Sequence, residues 1–239
     1  MSAILMYHYL GQPPASTERA HRALWVPTQE FRQQLRQLTR MGQQSVTPEQ
    51  FDTGLRSGTL RNQVWLTFDD GRIDNLEQAL PALVDAGHRA TFFIIAERSL
   101  RGEKDYIPLS GLKEMLAAGM SIGSHTLTHP HLARIPPDQM RTEITDSRKR
   151  LEDALGVPVT SFCYPYGNWN PEAVEAVQQA GYSLAVSTIR DNRNAEPNRW
   201  LLHRAMVQPG RTGLRFRYLF TPVYHWIHSR KNRRRWNQR

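Results

Sequence analysis

The sequence predicts an α/β fold in which parallel strands alternate with helices, closed as a barrel or left open. Two observations carry this. Short apolar runs alternate with stretches at helical spacing along the chain. Reactive residues stand just after the strands, at His8, Asp69, Asp70, His125 and Tyr166, where parallel folds build their active face. A length of 239 residues fits one sizeable domain.

The elements follow in order. An apolar run over residues 3–9 predicts the first strand. Phe31, Leu35, Leu38 and Met41 recur at helical spacing, so residues 28–41 read as a helix stopped by Gly42. Thr47-Pro-Glu-Gln has the form of a second helix start. A strand over 64–68 runs into Asp69-Asp70-Gly71, and a helix over 76–86 stops at Gly87. A buried strand over 90–96 and a helix over 112–118 precede a strand over 120–123 that leads to His125. A long helix over 138–155 is closed by Gly156 and Pro158. Strands over 161–164, 182–187 and 200–207, with a helix over 171–180, complete the body.

Charge divides the chain at residue 210. The net charge is +9, and residues 211–239 hold eight arginines, one lysine and no acid. The rest balances at 22 basic against 22 acidic residues. A body over 1–210 and a basic tail over 211–239 are therefore expected. The tail interleaves Phe216, Tyr218, Phe220, Tyr224 and Trp226 with its cations. That pattern suits an anionic membrane surface or a lipid-linked ligand. Nucleic acid is the other natural partner of such a charge, though not the expected one, and a solvated tail is the third reading. The lone Cys163 cannot form an internal disulfide and reads as a small core residue. The first residues show neither a basic leader nor a long apolar run, so the expected compartment is the cytoplasm, at most peripheral on the inner membrane face.

Three motifs carry chemistry. Asp69 and Asp70 are adjacent carboxylates at a strand exit, and both reach one site only if the chain turns there, which Gly71 permits. One could ligate a metal while the other takes a proton; a helix cap or Asx turn is the plainer alternative. His125 and His129, four apart, would face one side of a helical turn, a metal-ligand spacing. Two histidines and one aspartate leave open positions, as catalytic sites do. Tyr164-Pro-Tyr-Gly167 reads as an exposed aromatic loop whose backbone could face an oxyanion, or as an ordinary turn with packed tyrosines.

In combination these motifs resemble the polysaccharide deacetylase family, carbohydrate esterase family 4, over roughly residues 3–207. The resemblance implies a distorted (β/α) barrel of about seven parallel strands. It implies Asp69 as catalytic base, Asp70, His125 and His129 as ligands of a divalent cation, and Tyr166 as the oxyanion N–H. Zinc is the first expectation for the cation, with cobalt, nickel or manganese as the others. The implied substrate is an acetylated amino sugar, which without a secretory leader reads as a lipid-linked, lipopolysaccharide or polysaccharide precursor. A barrel of this kind that binds sugar without turnover is the alternative. Two departures stand out. No arginine precedes Tyr164-Pro165, and Arg204 is the candidate replacement that would orient Asp69. The general-acid histidine has two candidates, His8 and His203. His8 is favoured, because the chain resembles a branch whose last barrel motif moves to the front, and it is expected across from Asp69. Tyr164 and Trp169 are candidates for sugar contact, as is Trp25.

Overall fold

The computed structural model describes residues 2–19 and 21–236, with side chains as far as residue 232. Seven parallel strands form the barrel: β1 (Ala3–Tyr7), β2 (Gln63–Phe68), β3 (Thr91–Ile94), β4 (Ser121–Ser124), β5 (Ser161–Cys163), β6 (Leu184–Arg190) and β7 (Leu202–Met206). They pair in chain order, and β1 closes the ring between β2 and β7. The β1–β2 ladder runs from Ala3↔Val64 to Tyr7↔Phe68. On the other edge Leu5 faces Ala205. The expected barrel is thus the observed one, and closure brings residues from both chain ends to one rim.

Alternation along the strands sorts side chains into two layers. Ala3, Leu5 and Tyr7 of β1 and Val64, Leu66 and Phe68 of β2 pack outward under the helices. Ile4, Trp65, Phe93, Cys163, Val186 and Leu202 fill the interior. Phe51 and Leu55 of the helix Pro48–Arg56 join this inner layer. That helix starts in a capping box, with Thr47 Oγ1 accepting from Gln50 N at 3.3 Å and Gln50 Oε1 accepting from Thr47 N at 3.0 Å.

Three elements differ from expectation. The helix expected over 76–86 is a π-turn, Asn75–Ala79, followed by an α-helix, Leu80–Asp85. Pro81 lacks the N–H that a continuous α-helix would need there. The π-turn buries Asn75, whose Nδ2 donates to the His8 carbonyl at 2.9 Å. The His125–His129 segment is not a helical turn: Thr126 and His129 take φ of 67° and 70°. The boundary expected at residue 210 does not separate a tail from a body. Residues Gly213–Arg217, Tyr218–Phe220 and Pro222–Trp236 are helical, and Phe216, Leu219, Phe220 and Tyr224 are buried in the main core. The aromatic residues interleaved with the cations are therefore largely anchors, and among the described side chains Leu214, Val223 and Trp226 stay exposed.

Candidate active site

The site lies at the C-terminal rim of the barrel, in a cleft of about 320 Å³ lined by His8, Asp69, Asp70, His125, His129 and Tyr166 among others. Strand parity aims several of these residues. Asp69 continues the inward face of Trp65 and Thr67, and His8 that of Ile4. Arg204 shares the inward face of Leu202 and is fully buried.

Arg204 holds Asp69 as a fork. Its Nη1 donates to Asp69 Oδ1 and its Nη2 to Asp69 Oδ2, each at 2.7 Å. The guanidinium also donates to Thr67 Oγ1 at 3.1 Å, Cys163 Sγ at 3.3 Å and the Ser187 carbonyl at 2.8 Å. Burial alone would raise the Asp69 pKa, but the charge and hydrogen bonds of Arg204 outweigh it and hold the carboxyl below the ordinary range. Asp69 is thus ionised, oriented and only 2% exposed.

Asp70 turns away from it. The chain bends at Asp70 itself, with φ of 73°, and at Gly71, with φ of 65°. Tyr9 donates its hydroxyl to Asp70 Oδ2 at 2.5 Å. Oδ1 faces His125 Nε2 and His129 Nε2, each at 3.5 Å, and the two nitrogens are 3.1 Å apart. His125 Nδ1 is engaged by the Cys163 carbonyl at 2.7 Å, which leaves Nε2 free to ligate. Tetrahedral ligands about 2.0–2.1 Å from a cation lie roughly 3.3–3.5 Å apart, so these three donors fit a divalent ion. Asp69, His125 and Cys163 also cluster. That group is the poorer cage, because both Asp69 oxygens are taken by Arg204 and burial pushes the Cys163 thiol up.

Without a cation the two imidazoles part. Burial lowers His125, but Cys163, Asp70 and Asp69 together drive it well above its usual value. His129 is pushed down to about 4, by burial first and then by its neighbour His125.

The histidine loop is gripped from below. Glu143, buried on the helix Pro137–Leu155, accepts from Leu127 N and Thr128 N at 2.9 Å each and from Thr128 Oγ1 at 2.6 Å. Thr126 Oγ1 accepts from His129 N at 2.9 Å. Thr126 is β-branched, and its left-handed backbone is held by this network. Tyr166 also has a positive φ, 58°, and its ring stacks on His131 at 4.0 Å and meets His129 edge-on at 4.5 Å. The backbone bonds of that turn, Gly167 N to Tyr164 O and Asn168 N to Pro165 O, use other amides. Gly167 is required there, since a Cβ would stand 1.8 Å from Thr188 Oγ1.

The remaining candidates divide. His8 lies in the cleft with Nε2 3.8 Å from Asp69 Oδ2, so acid and base candidates sit side by side and not across from one another as expected. His203 points away from the barrel interior and lines a separate cavity beside Asp191 and His225. Tyr164 lines the cleft yet is fully buried: it shares the outward face of Phe162 and donates its hydroxyl to the Trp200 carbonyl at 2.9 Å. Trp169 packs half-buried against the main core, and Trp25 packs against Tyr9, with centroids 5.0 Å apart. The sequence reading missed Tyr9 and Glu143, which orient the ligand group, and Arg98 and Tyr106, which line the cleft. Tyr9 directly follows His8, and that adjacency was the only signal for it.

Known proteins resemble this chain in sequence and fold. Residues 56–185, more than half of the chain, match the polysaccharide deacetylase family. A polysaccharide deacetylase homologue of Bacillus subtilis (strain 168), YxkH, is 33% identical over 215 residues, covering 89% of this chain and 74% of its own length. A chitooligosaccharide deacetylase of Sinorhizobium fredii is 30% identical over 128 residues, and the chain spans 57% of its length. Among solved structures, the Streptococcus pyogenes deacetylase PplD in complex with acetate superposes with a TM-score of 0.87 at 30% identity, over 92% of this chain and 98% of that one. IcaB from Ammonifex degensii superposes with a TM-score of 0.74 at 26% identity, over 88% and 93% of the two chains. With its barrel, its rim carboxylates and histidines, and these matches, the chain belongs to the polysaccharide deacetylase family of carbohydrate-deacetylating hydrolases.

Proposed function

We propose that this chain removes the N-acetyl group of an N-acetylhexosamine in a glycolipid, lipopolysaccharide or polysaccharide precursor, with Asp70, His125 and His129 holding a divalent cation, zinc first. The observation that carries the reading is the division of labour between adjacent carboxylates. Asp69 is locked to Arg204 through two 2.7 Å bonds, while Asp70 turns its Oδ1 to two histidines.

A cation held there would supply Lewis acidity to the acetyl carbonyl and to an attacking water. Asp69 takes the water proton as the new C–O bond forms, and Arg204 keeps that carboxylate ionised and aimed. The backbone N–H of Tyr166 is the donor for the developing oxyanion. His8 as imidazolium protonates the sugar nitrogen as the C–N bond breaks, leaving acetate and a free amine. The 3.8 Å separation of His8 and Asp69 suits the reset, because the proton gained by the base need travel only that far to recharge the acid.

For the carrier, exposed Leu214, Val223 and Trp226 beside Arg215, Arg217 and Arg230 support peripheral contact with an anionic membrane surface. A precursor of that kind would be met on the cytoplasmic face. No helix among the described residues is long and apolar enough to cross a membrane. The test is acetate release from free, nucleotide-linked and lipid-linked N-acetylhexosamines, with bound metal assayed on the same preparation. Release from at least one, lost on chelation, is expected; metal-loaded protein that frees no acetate from any of them would leave a sugar-binding barrel.

A further inference from the structure

The active cleft does not end at His8. His8, Leu24 and Thr188 also line a second cavity of about 400 Å³, so the two spaces adjoin across these shared residues. Their charge differs. The first holds Asp69 and Asp70, whereas the second is lined by Arg190, His228 and Lys231 and by no carboxylate among the described residues.

Both permanent cations are available. Arg190 is exposed, and among the described residues the one side-chain bond of its guanidinium is to Met206 Sδ at 3.0 Å, a weak acceptor. Lys231 is exposed and makes no ion pair among the described residues. The acid next in sequence, Asp191, is buried, and its Oδ1 is taken by Asn192 N at 2.7 Å and His225 Nδ1 at 2.9 Å. The His228 imidazole is pushed down by burial first and then by Lys231 and Arg190, against the opposing pull of Asp191.

The fold holds this wall in place. Arg190 ends β6 at the rim that carries the active site. Asn232 Nδ2 donates to the Arg190 carbonyl at 3.2 Å, pinning the helix Pro222–Trp236 across that rim. The same helix is docked through Tyr224, which is 2% exposed. The C-terminal segment therefore contributes one wall of the groove.

We infer that this second cavity binds a phosphate group carried by the acetylated sugar, with Arg190 and Lys231 as its contacts, so that the enzyme selects a phosphorylated substrate over a neutral one. Two unpaired cations beside a site that must admit a sugar suit an anion attached to that sugar. Phosphate brings more charge and more acceptor oxygens than a carboxylate, and the space exceeds what a carboxylate alone would fill. The inference rests on the deacetylase reading of the adjoining cleft.

The test is steady-state acetate release from N-acetylglucosamine 1-phosphate, a nucleotide diphosphate of N-acetylglucosamine, a polyprenyl pyrophosphate of it, the neutral N,N′-diacetylchitobiose and an N-acetylated uronic acid. The phosphorylated sugars should exceed N,N′-diacetylchitobiose by at least about tenfold in kcat/KM, mainly through KM, the scale of one charge-assisted contact. In the double variant Arg190→Gln, Lys231→Gln this ratio should fall at least about tenfold. The charge-keeping pair Arg190→Lys, Lys231→Arg should retain most of it. Equal preference for soluble and polyprenyl phosphates would assign selection to phosphate alone; preference for the polyprenyl form alone, lost in the double variant, would assign it to phosphate presented on a lipid. Equal rates for neutral and phosphorylated sugars, a preference for the uronic acid, or a ratio unchanged in the double variant would overturn the inference. Should no sugar release acetate, the deacetylase reading fails separately. Calorimetric binding of N-acetylglucosamine 1-phosphate, weaker in the double variant or equal to it, then decides the phosphate site by itself.

Discussion

Replacing Arg204 by methionine tests how the Asp69 carboxylate is held. The guanidinium is fully buried and makes two 2.7 Å bonds to Asp69, itself 2% exposed, so the variant leaves a carboxylate in the barrel interior without its cation. Removing one partner of a buried pair costs about 3–5 kcal/mol. For a chain of this size that lowers the melting temperature by roughly 6–20 °C. Arg204 holds the Asp69 pKa down, so the pair's contribution is complete above the unfolded value of about 3.9 and fades as pH falls through the lower folded value. Once Arg204 is gone, burial dominates and raises the carboxyl, so the acid limb of the kcat profile should move to higher pH. The assay is chemical denaturation of wild type, Arg204→Met, Asp69→Asn and the double variant. Because Asn removes the stranded charge, the double variant should recover most of the stability lost by Arg204→Met. A single variant within about 1 kcal/mol of wild type, or a double variant no more stable than Arg204→Met, would refute the reasoning.

Other outcomes follow from the same geometry. His8→Ala should lower kcat by about 10²-fold or more with metal retained, and His203→Ala by less than about tenfold, in steady-state acetate release; the reverse order would move the acid role to His203. Asp74 is buried, accepts from Leu10 N at 2.7 Å, and is pushed up to about 6, chiefly by burial. The folded state therefore binds the extra proton between about pH 4 and 6, and stability falls as pH rises through that window. Asp74→Asn should flatten this fall and gain up to about 3 kcal/mol at pH 8; a variant less stable than wild type at pH 8 would contradict it. Truncation after Gly210 removes four buried aromatic and aliphatic anchors, each contributing about 1.5–3 kcal/mol. That approaches the whole stability of a domain, so the chain cut there should not fold by circular dichroism, whereas a cut after Ser229 should.

Period two along the strands is the most legible part of the site. Ile4, Trp65 and Leu202 point inward, and the same parity carries His8, Asp69 and Arg204 into the mouth. That rule separates Arg204 from His203 without a structure. Applied at Phe162, it also sends the Tyr164 side chain outward into the core. The rest was hidden for physical reasons. The bends at Asp70, Thr126, His129 and Tyr166 are left-handed conformations at non-glycine residues, which local propensity disfavours and only long-range bonds such as those of Glu143 sustain. The docking of residues 211–236 depended on aromatic residues scattered among cations, a pattern that a membrane-facing tail would share. Charge composition alone cannot separate those two uses.

In the proposed reaction Asp70 with two histidines binds the cation while Asp69 acts on water. Asp69→Asn and Asp70→Ala, each assayed for bound metal by elemental analysis and for acetate release on one preparation, test it most directly. Asp69→Asn should keep its metal and lose about 10²–10⁴ in kcat. Asp70→Ala should lose both metal and activity. Metal lost from Asp69→Asn, or undiminished acetate release from metal-free protein, would contradict the account.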